Sequence, residues 1–472
     1  MPAIDRTDRV LQDVLDRVTP TRQEQERTKQ LVDRVVSATA QAVQGMGLDH
    51  LIAGSFTRDT WMKDKREFDI FIRFPLGTPR ESLEKQGLEL GKQIAKLLHG
   101  RHTIAYAEHP YVRVKVREFD VDVVPCYRVS SALKIKCAVD RTPFHNEWLS
   151  KHFLSELSPD VRLLKQFCKG QGIYGSDART LGFSGYLCEL LTIHYRNFKN
   201  MARHASLWKP GKVVINLEGM YPIKDMASMH KKFSRQPLVV IDPVDPGRNV
   251  AAALSPENFT RFVKACQDFI RKPSTEFFFR KPPKPVVSSI DSDLTSRRTR
   301  LIGFSCPAPK VIDDVLWPQL RRTARRVRDI LEANDFDVHG HDVWSSGEKC
   351  VFFYELEVSE LPRVRKLRGP PIFDLENSES FIRKYRPLGR IWVEEDIWVA
   401  EVNRAFTDAS DLIKKTLSAT EAGLKASGIA SYLSREIARY HKIMNKRDLM
   451  ALARRSREFG QLLQDFLEKN MA

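Results

Sequence analysis

Glu67 and Asp69 stand two residues apart in EFDIFIRF, whose alternation reads as a strand, so both carboxylates project from one face. Phe68, Ile70 and Ile72 point the other way. Two acids on one face of an otherwise apolar strand are costly unless water or a cation compensates them. Such a pair is ordinarily a solvated surface, but two neighbours change its weight. Gly54 and Ser55 form a turn just upstream, expected to open a helix and present backbone N–H groups and a hydroxyl to a triphosphate. Arg58, one turn further on, adds charge. Downstream, EFDVDVVPCY offers Asp120 and Asp122, again alternate residues on one face. Hard divalent cations, which prefer carboxylate and phosphate oxygens, account for the whole set. A third carboxylate would bridge them, and spacing alone does not choose between Asp120 and Asp122.

Several elements must position these residues. RQEQERTKQLVDRVVSATAQAV is an amphipathic helix with Leu31, Val32, Val35, Val36, Ala42 and Val43 at helical spacing, closed by Gly45 and Gly47. A strand at 50–53 leads into the Gly54-Ser55 turn. A strand over 68–74, a helix over about 80–98 and alternating strands from 106 to 124 complete a mixed α/β head. From Ser158 to Asn200 the pattern is helical, and RKPPKPVV at 280–287 reads as a linker. Segments 301–304, 349–358 and 390–401 read as strands of a second sheet, with a helix over 321–331, and the tail from Asp411 as helical. The fold class is thus α+β and multidomain, with boundaries at 1–145, 146–280 and 281–472.

Bulk properties agree with a large globular chain. At 472 residues it exceeds one ordinary core, and 42% hydrophobic with 29% charged residues describes a soluble protein. No stretch reaches the ~20 apolar residues a bilayer requires. The acid-bearing MPAIDRTDRVLQDVLDR lacks the apolar run of a secretion signal, so a cytoplasmic location is expected. The seven scattered cysteines form no C-x-x-C pair and read as reduced, buried thiols. A net charge of +17 favours a polyanionic partner.

GSFTRDTW, EFDIFIRFP and VDVVPCY together resemble the polymerase-β-type nucleotidyltransferase head. More narrowly, the chain resembles the archaeal-type (class I) CCA-adding enzymes, which are tRNA nucleotidyltransferases. The likeness continues through AEHPYVRVKV, AVDRTPFHNEWL, VRLLKQF, GIYG and GFSGYLCELL, then DPVDPGRNVAAALS and DDVLWPQL, to about residue 330. It implies Glu67, Asp69 and Asp122 as catalytic ligands of magnesium, Asp122 being the aspartate of D-V-V-P. It also implies Ser55 and Arg58 on the nucleotide's phosphates, His145, Lys165 and Tyr174 completing the pocket, and Arg248 helping to read the base. One departure stands out. The family turn is usually G-S-x-A-R-G-T, whereas Thr57 and Asp59 flank Arg58 here. An acid beside a phosphate loop is unfavourable unless it points away.

The implied reaction is in-line attack by a tRNA 3′-hydroxyl on the α-phosphorus of CTP or ATP, with pyrophosphate leaving and two magnesium ions assisting. The implied partners are tRNA, CTP and ATP, with no membrane, and a homodimer is an option within the family. Arg321-Arg322 to Arg325-Arg326, Arg363 to Arg368, and Arg454-Arg455 are candidate backbone contacts for tRNA. A poly(A) polymerase or another terminal transferase with the same head would keep the carboxylates, but would differ in nucleotide choice and product length. A catalytically silent RNA-binding relative would have no chemical reason to retain all three acids.

Overall fold

The helix expected over 22–43 begins where the sequence supplies its caps. The Thr21 hydroxyl accepts from the Glu24 N–H, and the Glu24 carboxylate accepts from the Thr21 N–H. A helix over Arg6–Val18 (α1), not expected from the sequence, precedes it. The computed structural model describes residues 5–64, 66–106, 109–221, 231–233, 236–279 and 287–468. The Pro-rich stretch read as a linker lies outside the described residues up to 286. The chain divides into two compact units, Met1–Lys281 and Pro282–Ala472.

The first unit opens with a five-stranded sheet ordered β1-β2-β5-β4-β3. Its strands are β1 (Asp49–Ala53), β2 (Glu67–Pro75), β3 (Arg101–Tyr106), β4 (Pro110–Val116) and β5 (Phe119–Arg128). β2 and β5 run parallel and the remaining pairs antiparallel. One face carries Phe68, Ile70, Ile72, Phe74, Val121 and Val123 into a core shared with α2 (Arg22–Val43) and α3 (Arg80–Leu97). The alternate residues, Glu67, Asp69, Asp120 and Asp122 among them, are therefore left on the opposite face. Helices α4 (Thr142–His152), α5 (Ser158–Gly170), α6 (Gly185–Tyr195) and α7 (Phe198–Ala205) come next. A small sheet of β6 (Val213–Ile215), β7 (Leu238–Asp242) and β8 (Asp245–Asn249) and helix α8 (Pro256–Arg271) complete the unit. Their core centres on buried Phe167, ringed by Phe198, Phe262, Phe269, Phe277 and Phe278.

In the second unit the expected single sheet is two sheets. Strands β9 (Arg300–Pro307), β10 (Val338–Ser345), β11 (Lys349–Leu356) and β15 (Lys442–Asn445) form one, ordered β10-β11-β9-β15. Strands β12 (Val364–Pro371), β13 (Gly389–Glu394) and β14 (Ile397–Asn403) form the other. The segment read as one strand over 390–401 is a hairpin, broken at Glu395, where φ reaches +56°. The largely helical tail contributes β15, which its basic sequence concealed. The seven cysteines are free and buried. Among the described residues, no helix is long and apolar enough to cross a membrane.

Close approach of α3 to the sheet depends on glycine. A Cβ at Gly91 would lie 2.5 Å from the Val112 Cβ, an atom fixed to the backbone of β4. Alanine would gain about 1 kcal/mol of helix propensity, but overpacking costs about 1–3 kcal/mol. At so short a distance the overlap prevails. Gly91→Ala is expected to lower the midpoint of chemical denaturation despite its better helix propensity; a raised midpoint would contradict this packing.

Candidate active site

β1 ends at buried Ala53, and the chain turns at Gly54 with φ +102° and ψ −171°, a conformation that a side chain would strain. The next four residues, Ser55–Arg58, form a single 3₁₀ turn, so the helix expected to open there is this short one. It stops because Asp59 is left-handed, with φ +51°. Glycine is the usual solution there, and aspartate is among the few side chains that tolerate it. The Asp59 carboxylate faces the buried guanidinium of Arg162 on α5, Oδ1 to Nη2 at 2.6 Å. Arg162 also donates to the carbonyls of Asp59 and Trp61, at 2.5 and 3.0 Å. The acid in this turn therefore points to a structural cation and stays out of the cleft lining.

That cleft, of about 270 Å³, is lined by Ser55, Arg58, Glu67, Asp69, His145, Lys165 and Tyr174, together with Asn146, Tyr186 and Glu189 among others. It thus gathers seven of the nine residues singled out from the sequence. The other two adjoin its walls. Asp122 is the direct partner of Asp69 across the parallel β2–β5 pair, as Asp120 is of Glu67. Arg248 is tied in through Asp242. A larger concavity of about 420 Å³, lined by Arg73, Arg128 and Asn146 among others, does not include Glu67 or Asp69.

Glu189 was not anticipated, although it is the acid inside the apolar run GYLCELL. It is almost wholly buried on α6. Arg58 Nη2 donates to it at 3.0 Å, the Thr60 hydroxyl at 2.6 Å, and Lys165 Nζ stands 3.6 Å away. Lys165 also donates to the Thr60 carbonyl at 3.0 Å, and Arg58 Nη1 to Asn146 Oδ1 at 2.8 Å. A buried carboxylate is tolerated only when so compensated. Two cations on different elements are thereby fixed at one end of the cleft.

Asp242 does the same at the other named cluster. Fully buried at the end of β7, it accepts from His145 Nε2 at 2.8 Å and from Arg248 Nη1 at 2.7 Å. Tyr186 stacks on His145 with ring centroids 4.1 Å apart. Burial pushes the Asp242 carboxyl up, and the donors from His145, Val244 and Arg248 outweigh it, so Asp242 titrates below its ordinary value. Burial holds His145 below the ordinary imidazole value, against the pull of Asp242. The neutral ring therefore carries its proton on Nε2. Tyr174 is pushed far up by burial and remains a phenol.

The carboxylates suit a divalent cation in donor chemistry and in register, being hard oxygens on one face of adjacent strands. Both oxygens of Asp122 are, however, turned to Arg113. Among the described residues, no three ligating side chains already converge on one point. In the second unit, Arg322, Arg325, Arg326 and Arg328 border a groove of about 570 Å³ beside Ser427 and Gly428. The stretch 363–368 lies on and just before β12, where Arg365 pairs with Asp335 at 3.2 Å. Arg454 and Arg455 end the helix Lys446–Arg455.

Three segments match known families, described as nucleotidyltransferase domain (34–145), tRNA nucleotidyltransferase, second domain (159–279), and CCA-adding enzyme, C-terminal domain (297–445). The CCA-adding enzyme of Methanosarcina acetivorans is 37% identical over 86% of this chain and 88% of its own. That of Methanoregula boonei is 40% identical over 84% and 83%. A solved RNA terminal U-transferase aligns with 56% of this chain and 94% of its own, at 13% identity and TM-score 0.41. Fold, cleft and matched segments define a nucleotidyltransferase of the polymerase-β type. The chain belongs to the CCA-adding enzymes, a family of tRNA nucleotidyltransferases.

The His145 environment has a measurable consequence. Unfolded, the imidazole protonates near its ordinary value of 6.5, and folded only at lower pH. Between those points the unfolded chain binds more protons, so this contribution is present above about pH 6.5 and declines as pH falls. His145→Gln is expected to show a shallower fall in melting temperature than the parent as pH drops below about 6.5. An identical fall in both proteins would mean that His145 titrates alike folded and unfolded, and a steeper fall in the variant would mean that folding favours the charged ring.

Proposed function

We propose that the cleft extends the tRNA 3′ end by C, C and A from CTP and ATP without a nucleic-acid template, releasing pyrophosphate. The observation that carries the assignment of the catalytic residues is the register of β2 and β5. It sets Asp122 beside Asp69 on the face that Glu67 shares, next to a cleft containing Arg58 and Lys165. Asp120 is the less suited third acid, 37% exposed and facing Lys115 at 3.9 Å. Magnesium held by Glu67, Asp69 and Asp122 would supply activation of the attacking hydroxyl and charge neutralisation at the phosphates, in the manner of a two-ion site.

This chain's own residues do the rest. Ser55 and the N–H groups of its turn, with Arg58 and Lys165, bind the triphosphate and orient its α-phosphorus. Tyr174, held as a phenol, closes the pocket beside Lys165. His145 and Tyr186 form an aromatic wall, and Asp242 fixes both His145 and Arg248. The Arg248 donors not turned to Asp242 can meet acceptor edges of cytosine and of adenine. Residues 1–145 act as the catalytic head, 146–280 complete the nucleotide site, and 281–472 hold tRNA by phosphate and shape through the basic segments. Action on tRNA fits a cytoplasmic location, and pairing of two copies is part of the same reading.

A tRNA lacking its terminal CCA, incubated with the protein, CTP, ATP and magnesium, is expected to gain C, C and A and then stop. Open-ended adenylation would replace this reading with a poly(A) polymerase and leave the fold assignment intact. Glu189 touches no reacting atom and acts as a positioning residue for Arg58 and Lys165. Glu189→Gln is expected to raise KM for both CTP and ATP about tenfold or more, with a smaller change in kcat. Glu189→Asp should recover part of that loss. A fall in kcat alone, with KM unmoved, would contradict the role.

A further inference from the structure

Asp122 is held by a cation of the protein's own. Arg113 Nε donates to Oδ1 and Nη2 to Oδ2, both at 2.7 Å, a bidentate guanidinium–carboxylate pair. The pairing is written into the sheet, because Arg113 is the direct partner of Asp122 across β4 and β5. On the other side Asp122 is the direct partner of Asp69. Arg113, Asp122 and Asp69 thus form one row across three strands. Like charges directly opposite on neighbouring strands destabilise a sheet, so Asp122 and Asp69 need a cation between or beside them. The neighbouring row has the weaker version, Lys115 at 3.9 Å from Asp120, which pairs with Glu67.

Exposure differs across the pair. The Asp122 side chain is 14% exposed and that of Arg113 is 41% exposed. The carboxylate is fixed in the strand, whereas the guanidinium reaches it from the rim and can leave into water. Tyr111 stands beside the pair, its Oη 3.3 Å from Arg113 Nη2. One lone pair on each Asp122 oxygen is taken by Arg113, so a divalent ion approaching on that side must displace the guanidinium, and one approaching elsewhere meets its positive charge.

We propose that Arg113 is a latch on the third metal ligand: it occupies Asp122 while no divalent ion is bound and must release it when one enters. This rests on the reading of Asp122 as a ligand. The latch keeps the acid ordered and its charge compensated in the free protein, at the expense of affinity for the first ion. Arg113 is a positioning residue, acting through Asp122.

The test is binding of manganese(II) to the full chain, without nucleotide or tRNA, monitored by the loss of free-ion paramagnetic resonance signal. Arg113→Met keeps the alkyl stem and removes the competing cation. It is expected to tighten manganese binding by about tenfold or more. Asp122→Asn is expected to weaken binding, and the double variant should behave like Asp122→Asn, the gain from Arg113→Met having vanished. If Asp122→Asn binds manganese as the parent does, Asp122 is not a ligand, and the latch falls with that reading. If Asp122→Asn weakens binding but Arg113→Met does not tighten it, Asp122 stands as a ligand and the latch alone is overturned. Arg113→Lys, which keeps the charge and loses the fork, should fall between parent and Arg113→Met, and is the control should Arg113→Met fold poorly.

Discussion

The cleft depends on one buried carboxylate. Glu189, inside a helix that is otherwise apolar on nearly every side, can exist there only because Arg58, Thr60 and Lys165 converge on it. Those partners come from the turn after β1 and from α5, so compensating one charge ties together three elements far apart in sequence. Removing the acid would leave two sequestered cations facing each other. Removing either cation would leave the acid underpaired. The two cations that the proposed nucleotide site uses are thus already ordered by the fold, and under that proposal their ordering need not be met at the moment of binding.

α5 extends the same logic. Its polar residues Arg162, Lys165 and Gln166 are buried, and each is satisfied by main chain. Arg162 takes the carbonyls of Asp59 and Trp61, Lys165 that of Thr60, and Gln166 that of Phe278. The Gly54–Asp59 turn therefore hangs from a helix rather than standing as a free loop. Asp59 becomes intelligible in this setting. It supplies the left-handed residue that ends the 3₁₀ turn, and gives Arg162 a carboxylate that does not line the cleft.

Charge compensation recurs at each functional cluster. Asp242 is paired to His145 and Arg248, Asp122 to Arg113, Glu189 to Arg58 and Lys165. Glu189 and Asp242 orient cations and a ring that have a place in the proposed reaction, whereas at Asp122 the cation holds the carboxylate that has one. The deeper pairs, at Glu189 and Asp242, are rigid supports. The shallower one, at Asp122, sits where exchange for a metal ion is feasible. Depth in the protein separates the fixed positions from the exchangeable one.

The sequence by itself determined the local part. The alternation of EFDIFIRF and EFDVDVVPCY put the acids on one face of each strand, since a period of two allows no other outcome. The helix over 22–43 arose from apolar spacing and a capping box, the one over 80–97 from apolar spacing alone, and the long run of motifs carried the family. Register and charge partnership were decided only by the tertiary structure. Whether Asp122 or Asp120 lies beside Asp69 depends on how two strands separated by a helix and a hairpin align. No local periodicity encodes that alignment. The same holds for Glu189, which reads in sequence as an isolated acid in an apolar helix until the turn and α5 bring its cations. It holds for the second unit, where strands with similar patterns went to two sheets, and where β15 returned from a helical tail. Glu67, Asp69 and the Gly54-Ser55 turn were legible because their chemistry is local. What surrounds them was not, because it comes from residues that meet only when the chain is folded.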